Sequence, residues 1–244
     1  MGRVVATLGG SKISHLRRSC LASIFACVSC LSPAVIPSAA FATQCSSVPV
    51  SVTASDVSLS ERICDAADRA VELLAGCGLE QSEAVRIEVL DGINLEHPSC
   101  AGVFHCSEAK IELVTPRDLA KALGRDHPFL EIPRDAFYDS LVAHEMAHAL
   151  AYQTRDGPLQ GTAETEYIGY AIQLSFLPED VRTAFLSTRP VAEPVELIAL
   201  NEVILAFSPA EFAVRAWKHF DAPENGCRFI RRLLDGEVLL STVR

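Results

Sequence analysis

The chain has 244 residues, 49% hydrophobic, 7% aromatic and 21% charged, and its 21 Lys+Arg against 31 Asp+Glu give a net charge of −10. That length and apolar content suit one folded domain and exclude a disordered chain or a fibre. So acidic a chain lacks the electrostatic footprint of a nucleic-acid binder, and no nucleic acid is expected among its partners.

In chain order, residues 1–42 come first, with Arg3, Lys12, Arg17 and Arg18 but no acidic residue. An apolar run from Ser19 to Leu31 comes next, then Pro33, Pro37 and Ser38-Ala39-Ala40-Phe41-Ala42. A basic start, a short apolar stretch and an A-x-A ending read as a secretory signal peptide cleaved after Ala42. The run is shorter than the roughly 20 residues that cross a bilayer, so no stable membrane insertion is expected after cleavage. The protein is therefore expected to be exported, to a periplasm or outside the cell.

Residues 43–244 form the expected single mature domain, with 17 basic and 31 acidic side chains and a net charge of −14. Six of the nine cysteines lie in it: Cys45, Cys64, Cys77, Cys100, Cys106 and Cys227. In an oxidising compartment they favour up to three disulfides. Cys100 with Cys106 is the easiest local pair, and Cys45 is placed to tether the mature N-terminus.

Residues 43–57 read as an extended lead-in, and Ser58 or Ser60 can cap a helix reaching about Ala75. Ile63, Ala67, Ala70, Val71 and Leu74 give that helix one apolar face. Strands are expected at 85–90, 102–106 and 110–115, and Pro116 opens a short helix with Leu119 and Leu123. After a loop at 128–133, helices are expected at 136–152, 164–176, 179–187, 194–206, 209–220 and 224–234. Ser208-Pro209-Ala210-Glu211 has the form of a capping box. The result is an α+β fold, with an N-terminal helix and small sheet preceding a mostly helical half.

The chemistry centres on His144-Glu145-Met146-Ala147-His148, an H-E-x-x-H pattern within an uninterrupted helical stretch. The i, i+4 spacing puts both imidazoles on one helix face, where they can bind one Zn²⁺. Glu145 can reach a water on the metal without itself being a ligand. Asp135 offers an upstream N-cap. No H-x-x-G-x-x-H comes after His148, so the metzincin pattern is absent. Downstream stands Gly161-Thr162-Ala163-Glu164-Thr165-Glu166-Tyr167-Ile168-Gly169-Tyr170.

These residues resemble the gluzincins, zinc metallopeptidases whose third ligand is a glutamate on the next helix. They are also similar to uncharacterised exported bacterial H-E-x-x-H proteins. The resemblance covers about 30 residues well. It implies a minimal zincin-like architecture, with Zn²⁺ held by His144, His148 and Glu166. Gly169, three residues after Glu166, matches the small residue that permits close helix packing in that family. Glu164 is the rival, because the same string partly resembles the aspzincin G-T-x-D-x-x-Y-G. A helical wheel puts Glu166 with Gln173 and Glu164 with Ile168, Ala171 and Ile172, and leaves both open; Gly169 favours Glu166. The resemblance also implies an oxyanion donor, for which Tyr170 is chosen ahead of Tyr167 and His219, and strand 110–115 as the sheet edge beside the cleft.

The expected activity is hydrolysis of a peptide or protein substrate, with Glu145 as general base and Zn²⁺ as cofactor. The competing reading is an exported binding module that keeps the zinc helix as a scaffold. His97, Cys100, His105 and Cys106 could be drawn as a second metal cluster, but a disulfide-closed loop with two surface histidines is the simpler account. Trp217 is expected to pack its helix on the core.

Overall fold

A computed structural model describes residues 41–90 and 100–240. The expected signal peptide falls outside these residues except for Phe41 and Ala42. Those two open strand β1 (Phe41–Gln44), which pairs antiparallel with β2 (Val50–Ala54). The stretch expected as an extended lead-in thus forms a strand pair.

Helix α1 (Val57–Gly76) comes next. Its cap is Asp56 rather than a serine, the carboxylate accepting from the Ser58 amide at 2.9 Å. The apolar stripe Ile63, Ala67, Ala70 and Leu74 is fully buried. It packs on β2, whose Val50, Val52 and Ala54 alternate inward as period-2 strand geometry requires. Strands β3 (Val85–Leu90), β4 (Gly102–His105) and β5 (Lys110–Val114) complete a sheet in the order β1-β2-β3-β5-β4. The β2-β3 and β3-β5 pairs are parallel, while β4 runs antiparallel to β5. Strand 110–114 is therefore interior, and β4 is the edge on that side, with β1 at the other, among the described residues. This corrects the expectation that 110–115 forms the edge.

A short helix α2 (Leu119–Leu123) and a 3-10 turn (Pro128–Glu131) lead into α3 (Arg134–Arg155). Pro133, not Asp135, occupies the cap position. Helix α3 packs against α1, β4 and the next helix, α4 (Thr162–Phe176), which explains why its middle is buried nearly all round. Two links fix its height. Tyr138 Oη donates to the Val114 carbonyl at 3.1 Å, and Arg62 on α1 pairs with Asp139 and Asp135 at 2.7 and 3.0 Å.

Helix α5 (Glu179–Ser187) matches expectation. The helix expected over 194–206 does not form as one piece. A 3-10 turn at Leu197–Ala199 comes first, and Asn201 then caps a short α6 (Glu202–Phe207), accepting from the amides of Val203 and Ile204. An Asx side chain that satisfies helix-start amides restarts the helix at that point. Helices α7 (Pro209–Asp221) and α8 (Gly226–Leu234) close the helical half. Pro209 opens α7 as expected, but the capping box is not made: Ser208 makes no side-chain cap bond and Glu211 pairs with Arg215 instead.

Among the described residues two disulfides are present, Cys45–Cys64 and Cys77–Cys227. The first ties the N-terminal strand pair to α1, as expected of Cys45. Cys100 and Cys106 are both free, which corrects the expected local pair. The intervening residues form extended β4, and at roughly 3.3 Å rise per residue the chain carries the two thiols apart. Among the described residues, no helix is long and apolar enough to cross a membrane.

Candidate metal centre

The i, i+4 histidines of α3 converge as their spacing requires. His144 Nε2 and His148 Nε2 lie 2.9 Å apart, their rings nearly perpendicular. Glu166, from the second turn of α4, brings Oε2 to 3.4 Å from His144 Nε2 and Oε1 to 3.5 Å from His148 Nε2. The ligand atoms of these three residues all lie within 4.8 Å of one another, and together they could hold a metal ion. Among the described residues no second such group occurs. His97 lies outside them, and His105 Nε2 sits 3.2 Å from Glu112 Oε2.

Glu164 is elsewhere. It is buried and its Oε1 accepts the Leu240 amide at 2.5 Å, anchoring the C-terminal segment to α4.

Gly169 decides how near α4 can come to α3. A Cβ there would stand 2.7 Å from His144 Cε1, 2.8 Å from His144 Nε2 and 2.9 Å from His148 Cε1, below any real contact distance. A second glycine does the same for Glu145. A Cβ on Gly102 of β4 would meet Glu145 Oε1 at 2.7 Å and Cγ at 2.9 Å. Sequence reasoning missed Gly102, although an isolated glycine in a strand pattern often marks close approach of another group. Gln173 shares the Glu166 face of the wheel, where sequence alone gives it no role. Its Oε1 lies 3.0 Å from His144 Nδ1. An amide oxygen can only accept, so Nδ1 is the donor of that bond, which leaves Nε2 as the nitrogen turned toward Glu166 and His148.

Burial sets the electrostatics. It raises the Glu145 carboxyl above its ordinary value, outweighing the two imidazoles beside it. Burial works the same way on Glu166, yet hydrogen bonds from His144 and His148 hold its carboxyl well below the carboxylate range. Burial would lower His148, and its bond to Glu166 raises it instead. Glu145 Oε2 and His148 Nδ1 are buried and have no hydrogen-bond partner among the described residues.

All four residues line one cleft of about 610 Å³, together with Ala101, Gly102–Phe104 of β4, Tyr170, His127 and an apolar wall. Tyr170 stacks on Phe129 and sets its ring edge-on to His144 at 4.8 Å, and burial pushes its phenol well above the ordinary value. Tyr167 and His219 hydrogen-bond each other at 2.8 Å and line no part of the cleft. Trp217 donates to Ser175 Oγ at 3.2 Å, joining α7 to α4.

Residues 50–243 match the model of a family of unknown function, DUF6639. No curated protein and no solved structure matches the chain.

Proposed function

For a chain that belongs to DUF6639, a family of unknown function, the activity has to come from its own residues, and we propose that it is an exported zinc-dependent metallopeptidase of zincin-like architecture. One observation carries the reading. Three ligand atoms converge in a cleft beside a buried carboxylate, Glu145, whose Oε2 has no other partner.

The donor set fits zinc. Two neutral imidazoles and one carboxylate, with a cleft on the fourth side, make the three-ligand arrangement of catalytic sites rather than the closed set of structural ones. The bond to Gln173 takes up His144 Nδ1 and leaves Nε2 as the nitrogen for the metal. When bound, zinc would polarise a scissile carbonyl and make water a nucleophile at neutral pH by lowering its pKa to about 7.

The chain's own groups do the rest. Glu145 Oε2 takes the proton of the attacking water and hands it to the leaving amine, a task suited to a carboxyl whose pKa burial has moved toward working pH. Tyr170 keeps its hydroxyl proton and, with its ring 4.8 Å from that of His144, is the donor we assign to an oxyanion. The outer edge of β4 offers amides and carbonyls to an extended peptide, which would bind by strand addition. Two disulfides suit a chain of the oxidising extracytoplasmic side.

Metal analysis paired with a peptide-library cleavage screen tests the reading. Wild type is expected to carry one zinc and to cut peptides. Glu145→Gln should keep its zinc and lose about 10²–10⁴-fold in kcat/KM, the range of a general base. Protein purified without chelators and free of zinc would sink the proposal, as would equal behaviour of the two proteins in the native role, which favours a binding module.

A further inference from the structure

From the wall of the same cleft we infer the substrate class: the peptide places a large, uncharged, apolar side chain immediately beside the scissile bond. The inference rests on the peptidase reading and adds what that reading leaves open.

The position of the wall follows from α3. Phe137, Leu141, His144 and His148 are spaced 4, 3 and 4 residues apart, which is one continuous helical face. At roughly 1.5 Å per residue, Leu141 stands about 4.5 Å and Phe137 about 10 Å before His144 along the axis. The apolar surface therefore begins one turn from the ligands, within reach of a side chain next to a carbonyl held there. Phe129 stacks on Phe137 at 5.7 Å and on Tyr170 at 5.8 Å, closing the inner end. Leu123 of α2 and Leu205 of α6 complete the rim.

Charge decides against the alternatives. The cleft lining contains no Lys, Arg or Asp. Its two glutamates and two of its histidines belong to the metal centre. The third histidine, His127, accepts the Phe129 amide through Nδ1 at 3.4 Å, and burial holds its pKa below the ordinary value. Burial likewise raises the Cys100 thiol, which stays neutral. A charged substrate side chain would lose its water here and find no counter-charge, whereas an apolar one gains by burial.

Two measurements separate this inference from the reading beneath it. In the cleavage screen with zinc-loaded wild type, one position adjoining the cut should favour Leu, Phe or Met over Asp, Glu and Lys by about tenfold or more. In parallel, fluorescence polarisation on zinc-loaded Glu145→Gln, with peptides differing at that position alone, should give the same order without any turnover. Leu205→Arg should shift the preference toward Glu and Asp. Leu123→Ala should weaken it about tenfold, each variant being checked for zinc content and melting temperature. Cleavage without an apolar preference overturns the inference and leaves the peptidase. Apolar-selective binding with no cleavage by wild type overturns the peptidase and with it the placement beside a scissile bond, leaving an apolar peptide-binding cleft. Binding of none of the peptides overturns both.

Discussion

At the residue scale, the centre depends on two absent side chains as much as on those present. Gly169 and Gly102 let α4 and β4 approach α3 closely, and their replacement should separate binding from turnover. In Gly169→Ala the methyl must displace both imidazoles. We expect zinc affinity to fall by about tenfold or more, read by competition with a chromogenic chelator. Gly102→Ala instead pushes the Glu145 carboxylate while leaving the ligands alone. Zinc should be retained and kcat should fall by as much as about 10²-fold, the effect of misplacing a reacting group by an ångström. The two glutamates divide in the same way. Glu166→Ala should abolish stoichiometric zinc. Glu164→Ala should keep it and destabilise the fold by about 1–3 kcal/mol, because the buried Leu240 amide loses its acceptor. Zinc loss in Glu164→Ala alone would reverse the ligand assignment.

At the element scale, what could be read from the sequence was whatever local periodicity encodes. The α1 stripe and the helical context of His144 and His148 follow from i, i+3, i+4 spacing, while the role of the small residue at 169 is what the gluzincin resemblance implies. Which strand bounds the cleft did not, because strand order depends on pairings between distant segments. Two short apolar runs near Gly102 and Lys110 look alike until β3 claims one of them. The 194–206 region misled for the opposite reason: Asn201 is an ordinary residue in an apolar pattern until its side chain caps the next turn. The Cys77–Cys227 pair was equally hidden, since its partners are 150 residues apart. It joins the end of α1 to α8 and so closes almost the whole domain. In the chain-entropy account such a loop contributes about 5 kcal/mol and the 19-residue Cys45–Cys64 separation about 3 kcal/mol. Cys227→Ser should therefore lower the denaturation midpoint more than Cys45→Ser. Equal shifts would mean that unfolded-state entropy is not the governing effect.

For the whole molecule, carboxylates paired between and within elements set an acid limit on stability. Arg62 reaches from α1 to α3, and its hydrogen bond holds Asp135 below the ordinary 3.8. Ser58 does the same for Asp56 across the α1 cap. Burial opposes the shift at Glu112, but Lys110 and His105 still bring it below 4.5. A carboxyl depressed in the folded state adds stability that is complete above its unfolded pKa and lost as pH falls through the folded one. Burial also depresses His127 and His219 below 6.5, so they resist the proton that the unfolded chain accepts. Glu145 and His148 are raised and run the other way. With zinc bound, His148 must stay deprotonated, so acid also costs the metal and its share of stability. The melting temperature of the zinc-loaded protein should accordingly decline from pH 7, and steepen below about 4.5 as the carboxylates titrate. Arg62→Gln isolates one cause. It should melt lower than wild type at pH 7 and lose less between pH 4.5 and 3, because Asp135 then keeps only the longer contact to Arg134, at 3.7 Å. Parallel curves for the two proteins would remove the α1–α3 ion pair from the account of acid lability.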